Sequence, residues 1–172
     1  MALRPILIIP EPRLRQLCAP VTGIDAETRK LVSDMFETMY DAPGIGLAAP
    51  QVGVLRRVVT IDLSREDEPR QPLAMINPEI IAASEERSIY SEGCLSIPDY
   101  YEEVERPAEV TVRYMTLEGK TVEQHVSGLL STCVQHEIDH LNGVLFIDYL
   151  SKLKRDRVNK KFAKAARRED VG

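Results

Sequence analysis

"GLLSTCVQHEIDHLNG", residues 128–143, decides how the rest of the chain is read. It is a strong helix signal that ends at Gly143, where a left-handed cap suits glycine. So apolar a helix belongs inside the molecule and has to be covered on its flanks. The sequence supplies the cover. "AEVTVRYMTLEGKTVEQHVSG" (108–128) alternates apolar and polar residues around "LEGK", which predicts a hairpin. "RRVVTIDL" (56–63) reads as a strand, and "LAMINPEIIAAS" (73–84) has strand character. The polar "SREDEPRQP" (64–72) lies between them as a surface loop. A segment after Cys94 is also strand-like. Asp25 is placed to cap a helix running to about Tyr40, whose apolar face is Leu31, Val32, Met35, Phe36 and Met39. Pro43, Gly44 and Gly46 then forbid its continuation. A further helix is expected from Ser151 to about Arg168. The expectation is an α+β fold: strands and β-hairpins packed around a central helix, with an additional C-terminal helix, in one domain spanning 1–172.

Composition narrows the class. The chain has 172 residues, with 44% hydrophobic and 28% charged, the proportions of an ordinary globular domain. The apolar run before Pro10 is too short for a secretory signal, and no stretch approaches a membrane span. The expected address is cytoplasmic, with no membrane partner. Cys18, Cys94 and Cys133 are odd in number and widely spaced, so they read as buried, metal-bound or free thiols. Charge is uneven. Residues 151–172 hold nine Lys and Arg against three Asp and Glu, a net of +6 on a chain of net −5, so the body carries −11. Such a tail either suits a polyanionic partner or is a solvated helix face.

The chemistry sits on the central helix. His136 and His140 are one turn apart, so both imidazoles can reach one ion. Glu137 is rotated about 100° from His136 and can stand beside a water without ligating the ion. Two of the chain's three His fall here. The pattern H-E-x-x-H-x-x-G begins the metzincin signature, which closes with a third His. Here that position is Phe146. No His follows, and Glu169 lies in the charged tail. Upstream, Cys94 stands in "YSEGCLSIP" (90–98), beside Gly93, and a thiolate suits Zn²⁺ or Fe²⁺. Cys94, His136 and His140 would leave a fourth position open, as catalysis requires. Cys133 shares the helix face of the histidines, and as a fourth ligand it would close the site. Cys18 reads as core and His125 as strand surface.

Three stretches together resemble the peptide deformylases: "GIGLAAPQ" (44–51), "EGCLS" (92–96) and "QHEIDHL" (135–141). The similarity runs from "LIIPEPRLR" into the C-terminal helix. The resemblance implies hydrolysis of the formyl group from N-formylmethionyl nascent peptides, giving formate and a free amino terminus. It implies Cys94, His136 and His140 as metal ligands and Glu137 as general base and acid. The Leu95 backbone N–H and the Gln51 amide would stabilise the oxyanion. Ile45, Gly46, Glu92 and Gly93 would bind substrate, with Leu129 and Cys133 lining the methionine pocket. It favours Fe²⁺ as the native ion, with Zn²⁺, Ni²⁺ or Co²⁺ as substitutes. The basic tail would dock on the large ribosomal subunit near the tunnel exit, without sequence-specific nucleic-acid recognition. One departure is Tyr101, where many members carry Arg; no role is assigned to it. Two competing readings remain at this point: a metallopeptidase cutting internal amides, and a non-enzymatic zinc or ribosome-binding protein.

Overall fold

A computed structural model describes residues 2–171; Met1 and Gly172, the two ends of the expected domain and tail, lie outside it. The element order is α1 (Ala26–Asp41), β1 (Gly46–Ala48), β2 (Val58–Ile61), β3 (Leu73–Ala83), β4 (Arg87–Cys94), β5 (Ile97–Pro107), β6 (Glu109–Met115), β7 (Thr121–Ser127), α2 (Gly128–Leu141) and α3 (Lys152–Val171). This is the α+β class expected from the sequence. Among the described residues, no helix is long and apolar enough to cross a membrane.

Local chemistry sets the boundaries. The Asp25 carboxylate accepts from the Thr28 N–H at 2.8 Å and starts α1. Gly128, at φ +60°, turns the chain from β7 straight into α2. Gly143, at φ +74°, follows the end of α2. At Asn77, φ is +53° and the register between β3 and β6 shifts, a bulge pinned by two 2.8 Å bonds between the Asn77 amide and the Val21 backbone.

Five strands form one antiparallel sheet in the order β1-β2-β3-β6-β7, and β4 and β5 pair separately as a two-stranded ribbon. Helix α2 packs its Val134, Ile138 and Leu141 with Val59, Ile61, Met75 and Val112 of the large sheet. Helix α1 buries Leu31, Val32, Met35 and Met39 with Leu47, Val58 and Ile76. Val158 and Phe162 of α3 join Ile9, Val104 and Phe146. The C-terminal helix is therefore docked by an apolar seam, while its Lys160, Lys161 and Lys164 stay exposed.

The ribbon was the least visible element in the sequence. Its outward positions carry Glu103 and Glu105, and only Val104 and Arg106 of that stretch are buried. Charged alternation of this kind gives a weak strand signal.

Candidate metal centre and active site

Six segments converge on one cavity of about 810 Å³. They are the N-terminal segment at Ile6 and Ile8, the loop leading into β1, the 3-10 turn Ala49–Val52, the end of β4 with its following turn, the start of β5, and α2. Its walls include Ile45, Gly46, Gln51, Gly93, Cys94, Leu95, Leu129, Cys133, His136 and Glu137. A concave site of this size, apolar with a few converging polar groups, is ordinary for a small ligand.

The Cys94, His136 and His140 donor atoms all lie within 4.8 Å of one another. Cys94 Sγ is 3.3 Å from His140 Nε2. Two ligands of one tetrahedral ion, with metal–sulfur and metal–nitrogen bonds of about 2.3 and 2.0 Å, stand roughly 3.5 Å apart. The three residues thus fit a shared divalent ion. Cys133 is outside this cluster, so the site is not closed by a second thiolate. Burial pushes the Cys133 thiol well above its ordinary value, reinforced by the Glu137 and Glu92 charges. It is a neutral, polarisable wall, which suits a thioether.

The histidines differ in their surroundings. Burial drives His140 well below its usual range, keeping it neutral, the form that ligates a metal. Burial opposes charge on His136 too, but the Cys94 and Glu92 groups beside it push it well up. His136 Nδ1 lies 2.9 Å from Glu92 Oε1, so with Nδ1–H as donor its Nε2 is presented to the centre. The ring also stacks on Phe146, centroids 5.9 Å apart. The residue that stands where a third histidine would close a metzincin site is thus the packing surface for the first ligand.

Glu92, expected to contact substrate, lines the cavity, and its carboxylate is held by Arg106: Nε donates to Oε2 at 2.7 Å and Nη2 to Oε1 at 2.9 Å. Burial would raise the Glu92 carboxyl, but His136 and Arg106 hold it below its ordinary value. Arg106 is itself buried and was missed by sequence reasoning. The available signal was its position: the only cation in the acidic "YYEEVER" (100–106), on the same strand parity as buried Val104.

Glu137 is buried, with Oε1 4.0 Å from His136 Nε2. Its Oε2 has no hydrogen-bond partner among the described residues. Burial raises its carboxyl to about 7. Gln51 is fixed at both ends of its amide. The carbonyl accepts from the Ala48 N–H at 2.9 Å, and Nε2 donates to Ser96 Oγ at 3.0 Å while lying 3.5 Å from Cys94 Sγ. A Cβ at Gly46 would stand 2.7 Å from Glu137 Oε1 and 3.0 Å from Cys133 Sγ. A Cβ at Gly93 would collide with the Tyr101 ring, so the close approach that this glycine permits is to a side chain of the facing strand. Ile45 and Leu129, 44% and 45% exposed, form apolar parts of the mouth. Cys18 is core, and His125 lies on the β7 surface near Glu109, as expected.

The family model described as polypeptide deformylase matches residues 3–156. A peptide deformylase of Rhizobium meliloti (strain 1021) is 61% identical over 167 residues, covering 97% of this chain and 96% of that protein. One from Bradyrhizobium sp. (strain BTAi1) is 63% identical over 172 residues, 98% of each chain. Among solved structures, the peptide deformylase of Legionella pneumophila superposes with a TM-score of 0.89 at 43% identity, covering 99% of both chains. That of Ehrlichia chaffeensis in complex with actinonin gives 0.90 at 41% identity, covering 96% of this chain and 98% of the other.

Proposed function

The chain belongs to the polypeptide deformylase family, metal-dependent hydrolases that remove the N-formyl group from nascent peptides, and on that premise we propose how its residues divide the work. Cys94, His136 and His140 hold one divalent ion, Fe²⁺ in the native enzyme. When bound, the ion supplies Lewis acidity, which makes hydroxide available near neutral pH and polarises a carbonyl. Glu137 Oε2 takes the proton of the attacking water and returns it to the leaving amine nitrogen as the formyl C–N bond breaks. The products are formate and a free amino terminus. Gln51 Nε2 and the Leu95 N–H donate to the developing oxyanion. Ile45 and Gly46 align the peptide beside Gly93, and Leu129 and Cys133 receive the methionine side chain. Glu92 acts behind the site, holding His136.

The observation that carries this reading is the convergence of three donor atoms beside a buried carboxylate with an unpartnered oxygen, at a cavity walled in large part by apolar side chains. Holding an ion for structural purposes needs no such carboxylate. The test is formate release from formyl-Met-Ala-Ser by protein prepared without air. Glu137→Gln is expected to bind metal with wild-type stoichiometry and lose at least about 10²-fold in kcat. Full activity in that variant would refute the assignment. Metal analysis of the same preparation, expected to return iron, tests the ion.

The exposed cations of α3 serve as a docking face for the large ribosomal subunit, consistent with cytoplasmic, co-translational work. Because Val158 and Phe162 are core, the test keeps the helix. Lys160→Glu, Lys161→Glu and Lys164→Glu together are expected to abolish cosedimentation with ribosomes at low salt, as phosphate contacts are lost. Unchanged cosedimentation would sink the docking proposal while leaving the chemistry untouched.

A further inference from the structure

The 3-10 turn Phe146–Tyr149 is linked to the proposed metal centre by two routes, one direct and one through other side chains. Its first residue, Phe146, stacks on the His136 ring with an interplanar angle of 26°. Its last, Tyr149, is half exposed and lies nowhere on the cavity wall. A tyrosine so placed is ordinarily a surface residue with its hydroxyl in water. Here the hydroxyl donates to Asp139 Oδ2 at 2.8 Å. The same oxygen accepts from Arg106 Nη1 at 2.8 Å. Arg106 then grips both Glu92 oxygens, and Glu92 Oε1 meets His136 Nδ1. The Tyr149 ring also covers the guanidinium, 4.7 Å from its centroid.

Arg106 is thus fixed on three sides: Glu92 and Asp139 at its edges and Tyr149 on its face. The turn that carries Tyr149 is itself held. Asp148 Oδ2 accepts from the Leu145 N–H at 3.0 Å and forms an ion pair with Arg15, which anchors the turn to the N-terminal segment. A planar fork that donates to both oxygens of a carboxylate fixes its plane as well as its charge. The plane of Glu92 in turn decides where His136 Nδ1 points.

We propose that this turn is a clasp on His136, with Tyr149 as a positioning residue that acts through Asp139, Arg106 and Glu92 on the ligand's orientation. The inference rests on His136 being a metal ligand. Outer partners of metal-bound histidines commonly change metal affinity by about 10–100-fold when lost. Tyr149 stands further out, so the lower end of that range is expected.

The test compares Zn²⁺ affinity, by competition with a chromophoric chelator, in the wild-type chain and in Tyr149→Phe, Tyr149→Ala, Leu153→Ala and Cys94→Ser. Tyr149→Ala is expected to bind Zn²⁺ about tenfold more weakly. Tyr149→Phe, which keeps the ring over Arg106 and loses the bond to Asp139, should fall between Tyr149→Ala and wild type. Leu153→Ala, an exposed change just beyond the turn, should match wild type. With Co²⁺ in place of zinc, the visible absorption spectrum of Tyr149→Ala should shift, a signature that simple loss of stability does not produce. In deformylation of formyl-Met-Ala-Ser, kcat should drop with KM held. If both Tyr149 variants bind Zn²⁺ within twofold of wild type and keep its Co²⁺ spectrum, the clasp is overturned. If Cys94→Ser also binds Zn²⁺ like wild type, it is the metal-site reading that fails. Should Tyr149→Ala not fold, Tyr149→Phe alone decides.

Discussion

Gly46 shows how much of this site depends on the absence of an atom. Its backbone passes beside Glu137 and Cys133 so closely that a methyl group would stand 2.7 Å from Oε1 and 3.0 Å from Sγ. Both neighbours are buried in α2 and have little room to retreat. Gly46→Ala is therefore expected to displace the proposed proton carrier and cut kcat by about 10–100-fold, since small misplacements of a catalytic group are costly. Metal stoichiometry should be unchanged; retention of wild-type kcat would show that Glu137 tolerates the shift. At this scale the sequence was legible where chemistry is compressed into short strings. The His136–Glu137–His140 spacing is helical geometry written directly, and Cys94 beside Gly93 was visible as a ligand candidate. The pairing of Glu92 with Arg106 was not legible, because the partner lies 14 residues away on the facing strand.

At the scale of elements, the helices were read well because their ends are marked. Asp25 begins α1, and the hairpin β6–β7 is declared by alternation on either side of "LEGK". The ribbon β4–β5 was obscured because a strand with charged outward positions has no distinctive pattern of its own. The end of α2 depends on Gly143, and here the structure adds what a cap rule omits. Besides φ +74°, a Cβ at this position would lie 2.5 Å from the Arg15 carbonyl oxygen. Gly143→Ala should therefore cost at least roughly 1–3 kcal/mol from the backbone alone, with the steric clash added. Urea denaturation measures this directly. Gly23→Ala, where a Cβ would meet nothing within 4 Å, serves as the control and should leave the midpoint nearly unchanged.

Across the whole molecule, the N-terminal segment stitches the motif loops together. The Leu7 N–H donates to the Gln51 carbonyl at 2.7 Å and the Ile9 N–H to the Ser96 carbonyl at 3.1 Å. Its start is held by Asp34 of α1, which accepts from the Ala2 N–H at 2.8 Å and pairs with Arg4 at 2.9 Å. Burial would raise the Asp34 carboxyl, yet these donors hold it below its ordinary value. A depressed carboxyl contributes stability that is complete above the unfolded value of about 3.9 and is lost as pH falls through the folded one. Asp34→Asn is thus expected to lower Tm at pH 7, with the gap narrowing only as pH falls below about 3.9 and closing below the depressed folded value. A gap independent of pH would show that the ion pair is not its source. None of these ties is marked in the sequence, because each joins residues far apart along the chain.

The separation of the ribbon from the five-stranded sheet has a consequence for the order of folding. Both hairpins, β4–β5 and β6–β7, are closed by local contacts and can form early. Cys94 and His140 stand 46 positions apart in the chain, on elements that share no backbone ladder. Closing that separation costs loop entropy that the two hairpins do not, so the three donor atoms are expected to come together after the hairpins have formed. Competence to bind the proposed ion would then require the ribbon to have docked beside α2, and a chain that has not reached that stage would have no means of acting on another.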